Sequence, residues 1–196
     1  MKYTLIGSFT SPYARKMRIL LSTLGPFEFK SINYLEQADS NFLKSINPIN
    51  QIPILLVGDT KIFDSRVIYN YLAKTHQLKE LTLEEENRLS AIDAAMNTSI
   101  NLFSLRRGGL DLNSGNTYVE RQKERIPLIL NYLSPWVKTL NSKEPAHWNF
   151  VTMSLYSYLY WGEFRQILDL SEFHEMRLFL ENFKDAPGVI ETTPPA

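Results

Sequence analysis

Over the first 75 residues, short apolar runs alternate with stretches whose apolar residues recur every three or four positions. Met17, Leu20 and Leu21 lie at helical spacing, and residues 52–57 form a continuous apolar run typical of a buried strand. The predicted elements are, in order, a strand over 3–6, a helix over 12–24, a strand over 27–34, a helix over 36–45, strands over 52–57 and 61–63, and a helix over 65–74. This β-α-β-α-β-β-α order predicts a small α/β layer structure.

The pattern becomes helical throughout after residue 76. Thr82 and Glu85 have the spacing of a capping box, and Asn149 can cap a helix that is apolar nearly all round. The predicted helices are one that starts at Thr82, one whose core face is Ile126, Ile129, Leu133, Val137 and Leu140 and which Pro127 should kink, one over 150–164 and one over 171–183. The sequence therefore predicts an α/β domain over 1–76 and an all-α domain over 82–196.

The composition excludes several classes of protein. Lysine plus arginine and aspartate plus glutamate number 21 each, so no net charge is available to attract nucleic acid. The chain has no cysteine, which excludes disulfides and any mechanism that uses a thiol of the protein itself. Because no apolar run approaches the ~20 residues of a membrane helix and no signal peptide is visible, we expect a cytoplasmic protein without membrane contact.

A metal site is not expected, because His76, His147 and His174 are isolated from other ligands at metal-binding spacing. Arg106 and Arg107 end the predicted long helix, where cations interact favourably with the helix dipole. A structural role is therefore sufficient for these two arginines.

Two pairs of residues stand at predicted helix starts, where free N–H groups and the dipole favour an anion. Thr10-Ser11 precedes Pro12, so a hydroxyl there is either a simple helix cap or a donor to a ligand such as a thiolate. Asp64-Ser65 precedes the third helix and has the same two interpretations, with room for both the ammonium and the carboxylate of a ligand.

Proline at the start of an apolar strand is unusual, because it cannot donate to a strand ladder. Ile52-Pro53 is either an ordinary trans proline at a strand start or a cis peptide that leaves the Ile52 backbone open to an extended peptide ligand. All three sites lie at junctions along one edge of the inferred layer, where ligands of such folds commonly bind.

Three segments carry a resemblance to a known family: SPYARKMRI over 11–19, the Asn47-Pro48 pair leading to Gln51-Ile52-Pro53, and DSRVI over 64–68. In order and spacing they resemble the cytosolic glutathione transferases, and most closely bacterial members with serine at the first-helix site. The likeness extends over the helical half and the tail at 193–195. It implies a thioredoxin-like glutathione-binding domain, a helical domain that supplies the pocket for an electrophile, and a homodimer.

The resemblance also implies roles for single residues. Ser11, with Thr10 beside it, would hydrogen-bond the glutathione sulfur, and Ile52 would pair through its backbone with the cysteinyl unit before a cis Pro53. Asp64 with Ser65 would hold the γ-glutamyl end. Five further residues are candidates for the electrophile pocket: Phe9, Tyr13, Phe103, Arg107 and Trp161.

Two positions depart from the family pattern. Asn50-Gln51 replaces a frequent glycine-lysine pair, so the contact of Gln51 with the glycyl carboxylate would be a neutral one. Thr152 stands three residues after the Asn149 cap, where relatives usually have aspartate, which alters a capping element and leaves the chemistry unchanged.

The implied activity is that of a glutathione transferase, which activates glutathione as thiolate for attack on a small hydrophobic electrophile. A thiol with a pKa of about 8.5 is only a few per cent ionised at neutral pH, so the protein must lower that pKa. Without cysteine, glutathione–disulfide exchange through a protein thiol is excluded. The alternatives are a peroxide reductase or dehalogenating variant of the same fold, and a non-catalytic binding module that acts in interactions or stress responses.

Overall fold

The first part of the chain forms a four-stranded sheet with the strand order β2-β1-β3-β4, seen in a computed structural model that describes residues 2–195. The strands are β1 (Tyr3–Gly7), β2 (Glu28–Ser31), β3 (Ile54–Val57) and β4 (Thr60–Phe63). The helices are α1 (Pro12–Leu24), α2 (Gln37–Ile46), α3 (Ser65–Thr75), α4 (Leu83–Arg107), α5 (Thr117–Val137), α6 (Phe150–Phe164) and α7 (His174–Asn182). The predicted fold class, a thioredoxin-like α/β part followed by an all-helical part, is confirmed.

The register of the strands brings three strand ends together at one end of the sheet. β1 runs parallel to β2 and antiparallel to β3, and β3 runs antiparallel to β4. Ile6 is paired with Ile54, and Ile54 with Phe63. The ends of β1 and β4 and the start of β3 therefore lie side by side at one end of the sheet.

Side chains along each strand point alternately to the two faces of the sheet, and both faces are covered by other parts of the first unit. Ile6 and Ile54 pack with Ile32 of the loop after β2 and Leu43 of α2 in one buried cluster. On the other face, Leu5 is fully buried and is the register partner of the equally buried Leu55. Helices α1 and α3 pack against each other and against the sheet strands there.

The helical part is built around α4 and α6. Helix α4 packs against α5 and α6, and α7 packs against α5 and α6. Both predicted starts are formed: Thr82 and Glu85 make a reciprocal capping box, and Asn149 and Thr152 make another. No helix among the described residues is long and apolar enough to span a membrane.

Several predicted boundaries differ from the observed ones. The strand predicted from residue 52 begins at Ile54, since Pro53 has no N–H to donate, and β2 is limited to four residues at an edge of the sheet. The last helix begins at His174, later than predicted, after a turn in which the Asp169 carboxylate accepts from the Ser171 N–H. Helix α5 includes Pro127, in agreement with its predicted place inside the second helix of the helical part.

The chain divides into two compact units. The first contains the residues up to Glu80 together with those from Asp185 onward, and the second contains Leu81–Lys184. The sequence division at 76–82 assigns the last residues to the helical domain, whereas here they group with the α/β unit. They pack on α1, where Gly188 (φ +83°) approaches the backbone of Ile19.

Candidate functional site

Three chain segments meet at the end of the sheet where β1 and β4 stop and β3 starts. The loop over 8–11 follows β1, the Ile52-Pro53 pair precedes β3, and the Asp64-Ser65 pair follows β4. The register described above therefore places the three predicted binding segments next to one another in the first unit.

Ser11 is the N-cap of α1, with Pro12 in the first helical turn. Its Oγ accepts from the Ala14 N–H at 3.2 Å, and its own N–H donates to the Ser8 carbonyl at 3.1 Å. A hydroxyl that accepts through a lone pair keeps its hydrogen for another acceptor. The half-buried Ser11 hydroxyl can therefore cap the helix and donate to an anion at the same time.

Thr10 is held differently from Ser11. Its Oγ1 lies 3.4 Å from Ser8 Oγ, and its backbone N–H donates to the same Ser8 oxygen at 3.4 Å. The hydroxyl and the backbone N–H of Thr10 are thus both within hydrogen-bond distance of Ser8, in the same loop. Of the two predicted sulfur contacts, the geometry favours Ser11.

The Ile52–Pro53 peptide bond is cis, which decides between the two interpretations of this pair. Pro53 is buried, and the Gln51 carbonyl is tied down by a 2.8 Å hydrogen bond from Asn47 Nδ2. Within residues 2–195, the backbone N–H and C=O of Ile52 make no hydrogen bond. These groups can pair with an extended peptide ligand.

Asp64 is the N-cap of α3 and has an uncommon backbone conformation, with φ +74°. One carboxylate oxygen accepts from the Arg66 N–H at 2.8 Å and from the Val67 N–H at 3.3 Å. The rest of this exposed carboxylate remains available to a ligand ammonium, while Ser65 is buried beside it. Residues whose backbone the surrounding structure holds at a positive φ are frequent at binding sites.

Helix α1 also carries buried positive charge. Arg15, Lys16 and Arg18 are all at most 6% exposed. Burial, and secondarily the charge of Arg15, lowers the pKa of Arg18 to about 10, which leaves it charged at neutral pH. Cations within two turns of Ser11 add to the dipole of α1 in favouring an anion at its N-terminus.

The predicted electrophile residues are split between the two units. Phe9 and Tyr13 lie in the first unit, where the Arg18 guanidinium is 5.0 Å from the Phe9 ring centre and Lys16 Nζ is 4.6 Å from that of Tyr13. The others, Phe103, Arg107 and Trp161, come together in the helical unit.

In that helical group, the Phe103 and Trp161 rings meet edge to face at 5.6 Å. The Arg107 guanidinium carbon lies 5.7 Å from the Phe103 ring centre, and two further arginines, Arg106 and Arg165, lie at 5.8 Å and 5.4 Å. Sequence reasoning gave Arg106 a structural role at the end of α4 and missed Arg165. Arg106 and Arg107 follow Phe103 by three and four residues, so helical spacing predicts their contact with its ring, whereas Arg165 follows α6 and reaches Phe103 only through the packing of α4 against α6.

A separate open cavity of about 490 Å³ lies in the helical unit between the end of α6 and α7. Glu163, Asp169 and Arg177 line it, with the turn over 166–171, and none of the predicted site residues belongs to its wall. Within residues 2–195, no cluster of three or more histidine, aspartate or glutamate side chains is placed to hold a metal ion.

Residues 1–74 match the family described as glutathione S-transferase, N-terminal domain. Over 69 residues the chain is 38% identical to the uncharacterized GST-like protein YibF of Escherichia coli K12. That match covers 35% of this chain and 34% of YibF, so the matched segment spans about a third of this relative.

The whole chain has the fold of solved glutathione S-transferases. One, from Methylobacterium radiotolerans in complex with glutathione sulfonate, superposes with a TM-score of 0.85 at 20% identity. The match covers 100% of this chain and 96% of the Methylobacterium chain. Another, from Methylobacillus flagellatus with glutathione bound, has a TM-score of 0.82 at 18% identity and covers 98% and 100%. The class of protein is thus defined by its fold, with an N-terminal part that matches the transferase family.

Proposed function

We propose that the protein binds glutathione at the sheet end of the first unit and transfers it to a small hydrophobic electrophile. The observation that carries the proposal is the convergence of Ser11, the open backbone of Ile52 and the Asp64 carboxylate at adjacent strand ends. These groups suit the thiol, the cysteinyl backbone and the γ-glutamyl ammonium of one tripeptide. Glutathione in the related structures supports the same ligand class.

The chemistry assigned to Ser11 is stabilisation of the thiolate. A hydrogen bond to a charged group is worth about 1.5–3 kcal/mol, which corresponds to a thiol pKa lowered by roughly one to two from 8.5. The thiol proton passes to solvent, and the thiolate sulfur forms a bond to the electrophilic carbon as the leaving group departs with its electron pair. Gln51 offers a neutral amide to the glycyl carboxylate.

Removal of the Ser11 hydroxyl tests this proposal. We expect Ser11→Ala to raise the pKa of bound glutathione by about 1.5 and to lower kcat/KM roughly 15-fold at pH 7, because the thiolate loses its donor and its ionised fraction falls from about one half to about 3%. Thr10→Val is the matched control and should change both values little. Calorimetric titration of glutathione and the ultraviolet absorbance of the thiolate against pH provide the measurements.

Each outcome of that experiment separates the candidate functions. Failure of the wild-type protein to bind glutathione would refute the proposal. Tight binding without turnover of any electrophile would instead support the non-catalytic binding module. A cytoplasmic, homodimeric transferase with a role in detoxification is the biological form that we propose, to be tested by fractionation and by light scattering.

A further inference from the structure

The Phe103 ring in the helical unit is surrounded by cations. The guanidinium carbons of Arg106, Arg107 and Arg165 all lie 5.4–5.8 Å from its centre. Trp161 packs edge to face with the Phe103 ring, and the Arg165 guanidinium also lies 4.9 Å from the centre of the Phe164 ring. The group of three arginines and three aromatic rings is called the arginine rim below.

Arg106 and Arg165 differ in their hydrogen bonds. Arg106 donates to the carbonyls of Gln166 at 2.8 Å and Arg165 at 2.6 Å, so it caps the end of α6. By contrast, Arg165 Nε is buried and has no hydrogen-bond partner within residues 2–195. Buried N–H groups are normally paired, and an orphaned one in a charged cluster points to a missing acceptor.

The charges of the arginine rim point to the kind of acceptor. No ion pair of Arg106 or Arg165 with a carboxylate is found in the described part of the chain. Like charges around one ring repel, and an anion between them relieves the repulsion. A planar carboxylate suits the fork of a guanidinium, and an aromatic body suits a half-buried Phe103 beside a 38% exposed Phe164.

We propose that the arginine rim binds aromatic compounds that carry a carboxylate, with Arg107 and Arg165 on the anionic group and the rings of Phe103 and Phe164 on the apolar body. Binding itself is a property of the helical unit alone. The step to a substrate class rests on the proposed function: the preferred electrophiles are then anionic aromatic compounds. Arg107 and Arg165 are specificity residues in this scheme.

A pair of electrophiles of similar shape, one anionic and one neutral, tests the preference when each rate is divided by that of the uncatalysed reaction with glutathione, because the carboxamide activates the ring more than the carboxylate does. A chloronitrobenzoate and the matching chloronitrobenzamide undergo the same substitution: the carbon–sulfur bond forms, and chloride leaves with the carbon–chlorine bonding pair. We expect the wild-type protein to favour the acid at least tenfold in kcat/KM. In Arg107→Gln and Arg165→Gln, the acid should lose roughly tenfold and the amide should stay within twofold.

The matched control is Arg121→Gln, which removes an exposed arginine of α5 in the same unit and should leave both rates unchanged. Arg165→Lys keeps the charge and should retain part of the preference. Circular dichroism of each variant confirms that it is folded, and the lysine variant provides the test if glutamine at this position prevents folding.

Calorimetric titration with the chloronitrobenzoate alone separates this inference from the proposed function. Binding that weakens in both glutamine variants supports the arginine rim even if glutathione does not bind. If glutathione is conjugated to the amide as fast as to the acid, and acid binding is the same in every variant, the inference is overturned while the transferase function stands.

Discussion

Arginines lie against aromatic rings in both units of this protein, but their hydrogen-bond acceptors differ. In the first unit, the Arg18 guanidinium lies 4.6 Å from the centre of the Phe29 ring and donates to the carbonyls of Thr192 at 3.1 Å and Glu191 at 3.4 Å. In the helical unit, Arg165 lies at a similar distance from its rings with a buried Nε that has no acceptor among residues 2–195.

The difference teaches how to separate a structural arginine from a ligand-binding one. The contact with an aromatic ring is common to both groups and is worth only about 0.5–2 kcal/mol. Backbone carbonyls decide the role, because they either use the donors of the guanidinium or leave them for a ligand. Arg18 therefore belongs to the framework that holds α1, and Arg165 belongs to the arginine rim.

The largest expected effect comes from the segment that supplies those carbonyls. In Gly188→Ala, the added Cβ would overlap Ser22 Oγ and lie 3.2 Å from the Ile19 backbone, at a φ of +83°. We expect a loss of about 3 kcal/mol in the free energy of unfolding, measured with urea.

Gly58→Ala is the matched control for Gly188→Ala. It has a positive φ of +57° in the same unit, but no atom lies within 4 Å of the added Cβ, so it should cost only about 1 kcal/mol. Adding Ser22→Ala to Gly188→Ala should recover part of the difference. Equal losses in Gly188→Ala and Gly58→Ala would show that the close approach to α1 is unimportant.

Removal of the Arg18 charge comes next in size. Arg18→Met retains apolar contact with Phe9 and Phe29 but leaves the carbonyls of Thr192 and Glu191 without a donor, so we expect a loss of about 2 kcal/mol. Lys30→Met, which removes an exposed cation 3.9 Å from the centre of the Phe42 ring, should cost about 0.5 kcal/mol. Similar losses in the two variants would contradict the assignment of Arg18 to the framework.

The support beneath the arginine rim has a smaller effect with a pH signature. Tyr158 and Ser99 form a buried 3.0 Å hydrogen bond between α6 and α4, one turn before Trp161 and Phe103. Tyr158→Phe should cost about 1 kcal/mol at pH 8, measured as the free energy of unfolding, because Ser99 loses its partner.

Burial raises the pKa of Tyr158 to about 12, against a smaller lowering by its hydrogen bond with Ser99. The folded pKa is above the unfolded value near 10, so stability is complete below pH 10 and is lost between pH 10 and 12. The wild-type protein should lose about 1.4 kcal/mol through this group at pH 11, and Tyr158→Phe should not. The stability advantage of the wild-type protein over Tyr158→Phe should therefore disappear by pH 11 and reverse slightly, and an unchanged advantage would refute the role of burial.

The two regions also differ in how far the sequence predicts them. Ser11, Ile52-Pro53 and Asp64 lie at helix and strand boundaries, where local residue preferences are strong, and the strand order then brings them together. The arginine rim depends on packing between α4 and α6, which residues distant in sequence determine. Arg107 was predictable as a helix-end cation, whereas Arg165 acquires its environment only through the crossing of those helices. The association of the last residues with α1 also lacks a local signal.

The smallest expected effect falls on the arginine rim itself. Arg165→Gln removes a charge from a cluster of like charges and a buried N–H that has no acceptor, so the free energy of unfolding should change by less than about 0.5 kcal/mol. Arg106→Gln, which loses two hydrogen bonds to carbonyls, should cost about 1 kcal/mol in the same urea titration. A small loss in Arg165→Gln would agree with a role of Arg165 in ligand binding. If Arg165→Gln destabilises the protein as much as Arg106→Gln does, both arginines are structural, and the contrast with Arg18 no longer holds.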